Sequence, residues 1–320
     1  MNMKKLVSIV IPVYNRKEEI INCLNSLKQI DYDNVETIVV DNGSIDKTQE
    51  AIKELFPEVI IVRNEENLMA TPARNQGYYI SHGEYILFLD SDNKVAPDFL
   101  TKMVELAESD PAIGFIAPKM YYGNTADTIW YAGVDINMIT GRTKYIGIDQ
   151  IDRGQFDQIR EVQHIPNCSL VKREVIEKIG AWDASYVMSY EEPDFSVRAM
   201  RAGYKIMFCP KSRIWHNEKG VIKGIGFRSP KRAYYFAKNR PVFMRKYAKK
   251  FDFVLFMLIF FPIFSIAHFL IFAKERKWDI LWGYLVGTWE GLVYGLTGKF
   301  IDSSSRLSQL EAHTGNKKQL

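Results

Sequence analysis

The alternation of strand-like and helix-like segments over the first hundred residues constrains the fold more than any other feature of this chain. Leu6 to Val13 is a continuous apolar run rich in β-branched residues, as expected for a parallel strand covered on both faces. Apolar residues at helical spacing follow it, and further strand-like runs come at Val35 to Val40, Val59 to Val62 and Tyr85 to Leu89. Short alternating units of this kind predict an α/β fold with a doubly wound, mainly parallel sheet flanked by helices.

Acidic residues and one histidine lie at or near the ends of the predicted strands. They are Asp41, the pair Asp90 and Asp92 in FLDSDN, the Glu191–Asp194 cluster in SYEEPDF, and His216 in RIWH. Ligands of open α/β sheets collect at the carboxyl ends of the strands. In extended backbone, Asp90 and Asp92 project to the same side. Because their oxygens suit Mg²⁺ or Mn²⁺, which bridge a diphosphate, the pattern predicts a site for a metal ion and a phosphorylated ligand.

Composition and missing motifs exclude several other classes. The 320 residues are 47% hydrophobic with a net charge of +4, which is typical of a globular protein. Cys23, Cys168 and Cys209 are widely separated, so neither a disulfide framework nor a zinc site is indicated. The sequence contains no GxGxxG and no Walker motif, which disfavours a dinucleotide dehydrogenase or a P-loop NTPase. Nothing resembles a reader of nucleic-acid bases.

The C-terminal region changes abruptly to apolar composition. Phe253 to Ala273 is long enough to span a bilayer, although a buried core helix is the alternative. In Trp278 to Leu296, glycines recur every fourth residue at positions 283, 287, 291 and 295, a small-residue stripe that allows close approach of another helix, including one of a second copy. Because Glu290 lies within this stretch, a hairpin, a re-entrant pair and an interfacial helix all remain possible.

A basic segment precedes the first apolar run. Arg228 to Lys250 carries nine lysines and arginines and no acid. A solvated basic helix is one interpretation, but the position beside an apolar run favours contact with anionic lipid headgroups on the cytoplasmic side of a membrane. Lys274, Arg276 and Lys277 at the far end of the run weaken a simple through-and-through topology.

Six motifs in order along the chain resemble the family 2 glycosyltransferases, which have the GT-A fold. The motifs, which run from about Val7 to His216, are VSIVIPVYNR, IVVDNGSID, NLMATPARNQG, FLDSDN, EEPDFSVRAMRAGY and the closing histidine. The later string YYFAKNR is similar to the rhamnosyltransferase-like members. The resemblance implies inverting, metal-dependent transfer of a sugar from a nucleotide-diphospho-sugar to an acceptor hydroxyl.

The resemblance also implies roles for individual residues. The residues expected to bind the donor are Pro12, Tyr14, Asn15 and Asp41 at the base and ribose, Arg74 and Asn75 at the phosphates or sugar, and Asp90 with Ser91 at the ribose or metal side. The residues expected to hold Mn²⁺ or Mg²⁺ are Asp92, as chief ligand, with Asp90 and His216.

The catalytic base is expected in the EEPD cluster, because inversion requires one base for the acceptor hydroxyl. Family members usually show Glu-Asp at the first two positions, and the second corresponds to Glu192. We therefore favour Glu192 as the base, with Glu191 and Asp194 as positioning or acceptor contacts. The alternative is structural, since acids in the first turn of a helix opened by Pro193 interact favourably with its dipole.

The predicted organisation has four parts, with the catalytic domain on the cytoplasmic side of the cell membrane. They are a GT-A domain over 1–222 (a nucleotide-sugar half, 1–115, and an acceptor half, 116–222), a basic juxtamembrane segment over 223–250, membrane-associated helices over 251–300 and a polar tail over 301–320. The expected acceptor is a lipid-linked or membrane-proximal glycan.

Two other functions remain open from the sequence. One is a catalytically silent membrane scaffold that binds a nucleotide-sugar. Two features favour it: Glu192 stands where family members usually have aspartate, and the glycine stripe could pack against another helix. The other is a sugar-phosphate nucleotidyltransferase. It is disfavoured because no glycine-rich phosphate loop with a basic residue follows the first strand.

Overall fold

The computed structural model describes residues 4–125, 127–217 and 229–301. These residues form two compact units: the first consists of 4–135, 144–184 and 192–217, and the second of 136–143, 185–191 and 229–301. The predicted domain boundary at 222/223 and the tail from Asp302 lie outside the described residues. The division differs from the predicted one in that two loops, 136–143 and 185–191, belong with the C-terminal helices.

The first unit is built on a mixed sheet. The strands are, in chain order, β1 Val7–Val13, β2 Val35–Asp41, β3 Ile60–Arg63, β4 Tyr85–Leu89, β5 Asn93–Val95, β6 Ile113–Tyr122, β7 Ile129–Tyr131, β8 Val134–Asn137, β9 Arg142–Tyr145, β10 Arg160–Glu161, β11 Cys168–Lys172 and β12 Lys205–His216. The main sheet has the order β10-β12-β6-β11-β4-β1-β2-β3, with β5 added to β12 and β7 to β6, and β8 pairs with β9.

The parallel part of the sheet is the part that the sequence predicts. β1 runs parallel to both β2 and β4, and β2 runs parallel to β3. All seven residues of β1 are buried, as its uninterrupted apolar sequence indicates. The sheet is not parallel throughout, however, because β11 lies between β4 and β6 and runs antiparallel to both. The strands β5, β7 and β10 also run antiparallel to their neighbours. The α/β fold with a mixed, mostly parallel sheet flanked by helices is confirmed, with the antiparallel strand β11 near the centre of the sheet and the other three at its margin.

The helices are, in chain order, α1 Lys17–Leu27, α2 Thr48–Leu55, α3 Ala70–Ile80, α4 Phe99–Glu108, α5 Arg173–Ile179, α6 Glu191–Arg201, α7 Pro230–Tyr247, α8 Lys250–Leu255, α9 Phe261–Lys274 and α10 Trp278–Thr297. One predicted helix start is wrong, because α6 begins two residues before Pro193.

The second unit is helical. A single π turn, Phe256–Phe260, joins α8 to α9, so that residues 250–274 form one long apolar helix. Helix α7 begins with a Ser229 cap that accepts a hydrogen bond from the Arg232 N–H. From the middle of α7, Asn239 donates to the carbonyls of Met188 and Ser189, at 2.9 Å each. The next residue, Arg240, donates through Nε to the Thr140 carbonyl at 2.9 Å. These bonds explain why both loops belong to this unit.

The glycine stripe of α10 packs against α7 of the same chain. A Cβ added to Gly287 would lie 2.2 Å from the Tyr234 carbonyl oxygen, and one added to Gly283 would lie 2.3 Å from the Pro230 carbonyl oxygen. Only glycine permits backbones to approach this closely. The stripe therefore forms an interface within the chain, and this corrects the expectation that it offers a surface to a second copy.

Candidate active site

The turns after β1 and β2 are joined by hydrogen bonds. Asp41, at the end of β2, is fully buried, and its carboxylate accepts from the Ser44 N–H and from Arg63 Nη1, both at 2.9 Å. Asn15, after β1, donates its N–H to Ser44 Oγ at 2.9 Å and accepts from the Ile45 N–H through Oδ1 at 2.8 Å. Asp41 and Asn15 thus fix the shape of both turns at the carboxyl edge of the sheet.

The other residues expected near the base differ in exposure. Pro12 is buried within β1, where it lies opposite Val40 of β2. Tyr14, which follows the strand, is 43% exposed. Tyr14 therefore presents an aromatic ring at the carboxyl edge, whereas Pro12 contributes to the core of the sheet.

Arg74 of α3 connects two of the predicted acidic sites. Its side chain is 4% exposed, and Nη2 lies 2.7 Å from Asp90 Oδ1 and 3.7 Å from Glu192 Oε1. The guanidinium carbon lies 4.9 Å from the centroid of the Trp182 ring, a cation–π arrangement. A nearly buried cation between two carboxylates holds both of them at the same edge of the sheet.

Asn75 lies beside Arg74 but has a different role. Its Nδ2 donates to the Trp182 carbonyl at 2.9 Å, and its Oδ1 accepts from the Trp182 N–H at 3.0 Å. Both ends of the amide therefore bind backbone. Asn75 thus anchors the segment that carries the Trp182 ring, and its contact with the donor stays a prediction.

Asp92 and His216 are brought together by strand pairing. β5 runs antiparallel to β12, with Asn93 opposite His216, so the residue before β5 lies beside the end of β12. The distance from His216 Nε2 to Asp92 Oδ1 is 3.2 Å, and the other oxygen of Asp92 accepts from Arg16 Nη1. Burial alone would raise the pKa of Asp92, but the hydrogen bond to His216 and the charges of His216 and Arg16 outweigh it and lower that pKa to about 2.

Asp90 and Asp92 do not project side by side as predicted. The backbone leaves extended geometry after Leu89, and Ser91 and Asp92 form a turn in which Ser91 is buried. Asp90 consequently pairs with Arg74, whereas Asp92 pairs with His216 and Arg16. Two members of the expected metal set, Asp92 and His216, thus lie together, whereas the third, Asp90, pairs with Arg74.

A divalent cation fits the Asp92–His216 pair by its chemistry. One carboxylate and one imidazole form a donor set that suits Mn²⁺, and phosphate oxygens would complete its coordination. Across the parts of the chain that the structure describes, no three acidic, histidine or cysteine side chains converge as a metal site. The protein side chains would therefore supply only part of the coordination sphere.

Glu192 is held at the start of α6 by a backbone donor. Its Oε1 accepts from the Asn167 N–H at 2.8 Å, in addition to the 3.7 Å approach of Arg74. Asn167 has a positive φ of 68°, a conformation that asparagine adopts more readily than most residues and that aims its N–H at the carboxylate. Glu191, the first residue of α6, is half-buried.

Asp194 has a structural role that differs from the one expected. It is fully buried, and its Oδ2 accepts from Arg198 Nε at 2.8 Å, one turn along α6. Arg198 also donates to the carbonyls of Ile179, Gly180 and Ala181, so the pair attaches α6 to the end of α5. A carboxylate enclosed in this way does not contact an acceptor, and Asp194 is corrected from a catalytic to a structural residue.

Two site residues escape the sequence analysis. Arg16 precedes α1 and lies 76 positions before Asp92, and no local pattern connects them. Asn167 follows Pro166, and only the preference of asparagine for positive φ hints at its conformation. Both contacts depend on strand order, which the local sequence does not encode.

Fold and site together define a GT-A-type α/β protein with acidic residues at the carboxyl edge of its sheet. The mannosyltransferase PcManGT of Pyrobaculum calidifontis, solved with GDP-Man and Mn²⁺, matches with a TM-score of 0.55 at 17% identity, over 93% of this chain and 89% of that one. GalNAc-T7, solved with UDP, GalNAc and Mn²⁺, matches with a TM-score of 0.58 at 20% identity, over 73% of this chain and 48% of that one. At these identities the likeness shows the fold alone.

The sequence comparison gives the family. The pattern of Glycosyl transferase family 2 matches residues 8–180, more than half of the chain, and the chain belongs to that family. The probable glycosyltransferase YdaM of Bacillus subtilis is 27% identical over 239 residues, which cover 69% of this chain and 53% of YdaM. The chain thus spans about half the length of this curated relative.

Proposed function

We propose that this protein transfers a glycosyl group from a nucleotide-diphospho-sugar to an acceptor hydroxyl, with inversion at the anomeric carbon. One observation carries the proposal: two groups of charged side chains lie at the carboxyl edge of the sheet. One group is the pair Asp92 and His216. The other is Arg74, which lies between Asp90 and Glu192. Family membership supports it, as do the ligands of the two solved neighbours, GDP-Man and Mn²⁺ in PcManGT and UDP, GalNAc and Mn²⁺ in GalNAc-T7.

In the proposed reaction, Glu192 removes the proton of the acceptor hydroxyl as that oxygen attacks the anomeric carbon. The bond from that carbon to the donor phosphate oxygen breaks, and the nucleoside diphosphate leaves. The Asn167 N–H, at 2.8 Å, and Arg74, at 3.7 Å, orient the Glu192 carboxylate. Asp92 and His216 would hold Mn²⁺ or Mg²⁺, which supplies positive charge next to the leaving diphosphate.

The other proposed contacts with the donor are assigned from the exposure and the hydrogen bonds of the side chains at the carboxyl edge of the sheet. Tyr14 offers the exposed ring on which a base can stack, while Asn15 and Asp41 hold the turns beneath it. In the proposed complex, Asp90 and Arg74, which pair at 2.7 Å, contact the sugar or the phosphates of the donor. Glu191, the half-buried first residue of α6, is proposed as an acceptor contact.

We place the protein on the cytoplasmic side of a membrane, with a lipid-linked or membrane-proximal glycan as acceptor. The apolar helix over Lys250–Lys274 is long enough to enter a bilayer, and a mean hydropathy of 2.5 supports that location. The YYFAKNR motif of α7 favours the rhamnosyltransferase-like branch of the family.

Calorimetric donor binding tests the proposal. UDP-, GDP- and dTDP-sugars are titrated into the full-length protein in detergent, with and without Mn²⁺. We expect one donor class to bind in a metal-dependent manner, and Asp92→Asn to abolish the metal-dependent part. The matched control is Asp33→Asn, because Asp33 is exposed and precedes β2 at the opposite edge of the sheet. Absence of binding by every donor, with the protein folded, would refute the proposal.

Product analysis separates the other functions. Release of a nucleoside diphosphate with an inverted product, read by NMR of the anomeric proton, is expected. Release of pyrophosphate would identify a nucleotidyltransferase. Metal-dependent donor binding that Glu192→Gln leaves intact, without turnover by the wild-type protein on membrane extracts, would identify a silent scaffold.

A further inference from the structure

The long apolar helix of the second unit presents large hydrophobic side chains to its surroundings. In its most apolar stretch, only 17% of the residues are buried. Phe251 is 76% exposed, Leu258 73%, and Ile266 and Leu270 59% each. Buried core helices of soluble proteins do not leave such a surface in water. The exposed face is therefore suited to lipid.

The middle of this helix lies beside arginines. The central residue of Lys250–Lys274 is Pro262, and Phe264 lies two positions later. The distance from the guanidinium carbon of Arg240 to the centroid of the Phe264 ring is 4.0 Å. Arg142 approaches the same ring at 5.6 Å. An arginine at the centre of a bilayer costs about 2.5–3.5 kcal/mol even on the most lenient scales.

Irregular backbone accompanies these arginines. Arg240 donates to the Thr140 carbonyl, and Arg142 follows directly in the same segment, 136–143. If Lys250–Lys274 crossed the membrane, this segment would lie near the bilayer midplane, where non-helical backbone is tolerated only when protein or water encloses it. Arg142 is exposed, so it lacks that enclosure. Its contacts are instead compatible with a helix that lies along the headgroup region.

Helix α10 carries a second membrane-type face. Trp278, Trp282 and Trp289 are 61%, 57% and 54% exposed. At 3.6 residues per turn their spacings of four and seven place them on one narrow face, opposite the glycine stripe that packs against α7. Exposed tryptophans in a row are typical of the interface between headgroups and acyl chains.

We infer that α8, α9 and α10 form a monotopic surface that enters one leaflet of an anionic bilayer and does not cross it. Lysines lie at both ends of the long helix, Lys249 and Lys250 at its start and Lys274 and Lys277 at its end, and they then contact headgroups on the same side. The apolar side chains between them reach the acyl region of that leaflet. This inference does not depend on glycosyl transfer.

Labelling of one introduced cysteine at a time, in the full-length protein, tests the topology. Cysteines are introduced at Lys249 and at Glu275, exposed positions at the two ends of the helix, and at Glu58 as a reference in the first unit. The native cysteines are buried, so the unsubstituted protein gives the background. Spheroplasts and inverted membrane vesicles are then treated with a membrane-impermeant maleimide.

We expect Lys249→Cys, Glu275→Cys and Glu58→Cys to react in the same preparation, the inverted vesicles. Labelling of Glu275→Cys only in spheroplasts, with Lys249→Cys only in inverted vesicles, would show a spanning helix and overturn the inference. In a second measurement, purified protein is floated with vesicles of phosphatidylglycerol or phosphatidylcholine. We expect flotation with the anionic vesicles and at least a tenfold loss in Trp282→Ser/Trp289→Ser, both exposed positions. Failure of the wild-type protein to float with the anionic vesicles would also refute the inference of a monotopic surface.

Discussion

Replacement of Gly287 by alanine tests the close packing of α10 against α7. The new methyl group would lie 2.2 Å from the Tyr234 carbonyl oxygen, a backbone atom that moves only if α7 moves. At Gly295, in contrast, the nearest atom is Cε of Met257 at 2.8 Å, the end of a flexible side chain. The two substitutions therefore make the same chemical change on one face of one helix, against a rigid and an adaptable neighbour.

The expected magnitudes follow from two opposing effects. Alanine stabilises a helix interior by about 1 kcal/mol relative to glycine, and this gain applies at both positions. Overpacking against backbone costs roughly 1–3 kcal/mol and applies only at Gly287. Gly287→Ala is then neutral to about 2 kcal/mol less stable than the wild-type protein, and Gly295→Ala up to about 1 kcal/mol more stable. At about 2–4 °C per kcal/mol, a difference of about 2 kcal/mol separates the two melting temperatures by roughly 4–8 °C.

Thermal unfolding in a non-ionic detergent, followed by far-ultraviolet circular dichroism, measures this difference. Gly283→Ala is expected to follow Gly287→Ala, because its neighbour is the Pro230 carbonyl at 2.3 Å. If Gly287→Ala melted at or above the temperature of Gly295→Ala, α7 and α10 would not be in backbone contact, and the assignment of the stripe to an interface within the chain would be wrong.

Three further predictions address the site and its supports. Glu192→Gln should lower kcat by about 10²–10⁴-fold without a change in donor Kd, and an equal loss in the exposed control Glu58→Gln would contradict a role as base. Asn239→Ala leaves two backbone carbonyls without their donor and should cost about 1–3 kcal/mol, measured by thermal unfolding; no loss would remove the proposed support of loop 185–191. Burial lowers the pKa of His164 to about 3 in the folded protein. Between about pH 6.5 and pH 3 the unfolded chain therefore binds a proton at His164 that the folded protein does not. The free energy of unfolding should fall as the pH is lowered below about 6.5, by up to roughly 1.4 kcal/mol per pH unit. His164→Leu should flatten that slope in urea titrations, and an unchanged slope would show that His164 does not cause it.

The sequence predicts the first half of the fold well because its signals there are local. β4 has the predicted bounds, and β1 and β2 differ from them by one residue, since each is an apolar run closed by a polar residue. β6 was not predicted, although all ten of its residues are buried. Its Lys119 interrupts the apolar pattern, and only the fold reveals that Asp152 and Asp157 neutralise this lysine at 2.8 and 2.5 Å.

The site is less predictable than the fold because its contacts are remote in sequence. The residue types at Asp92 and His216 indicate their chemistry, but their meeting depends on the pairing of β5 with β12. β12 continues past Pro210 with a register shift relative to β6 between Cys209 and Arg213, and no local pattern predicts that continuation. Asp194 illustrates the converse error. Its position in the motif predicts a catalytic role, but its buried carboxylate pairs with Arg198, one helical turn later.

The bonds from Asn239 and Arg240 to the two loops affect how the chain can be shortened. A chain shortened before α7 would lose the donors that hold 136–143 and 185–191, and the second of these loops leads directly into α6 and Glu192. Deletion of these helices would therefore also remove contacts of the loop that precedes Glu192. Polar replacements at exposed positions such as Trp282 and Trp289 would reduce the apolar surface while leaving those hydrogen bonds in place.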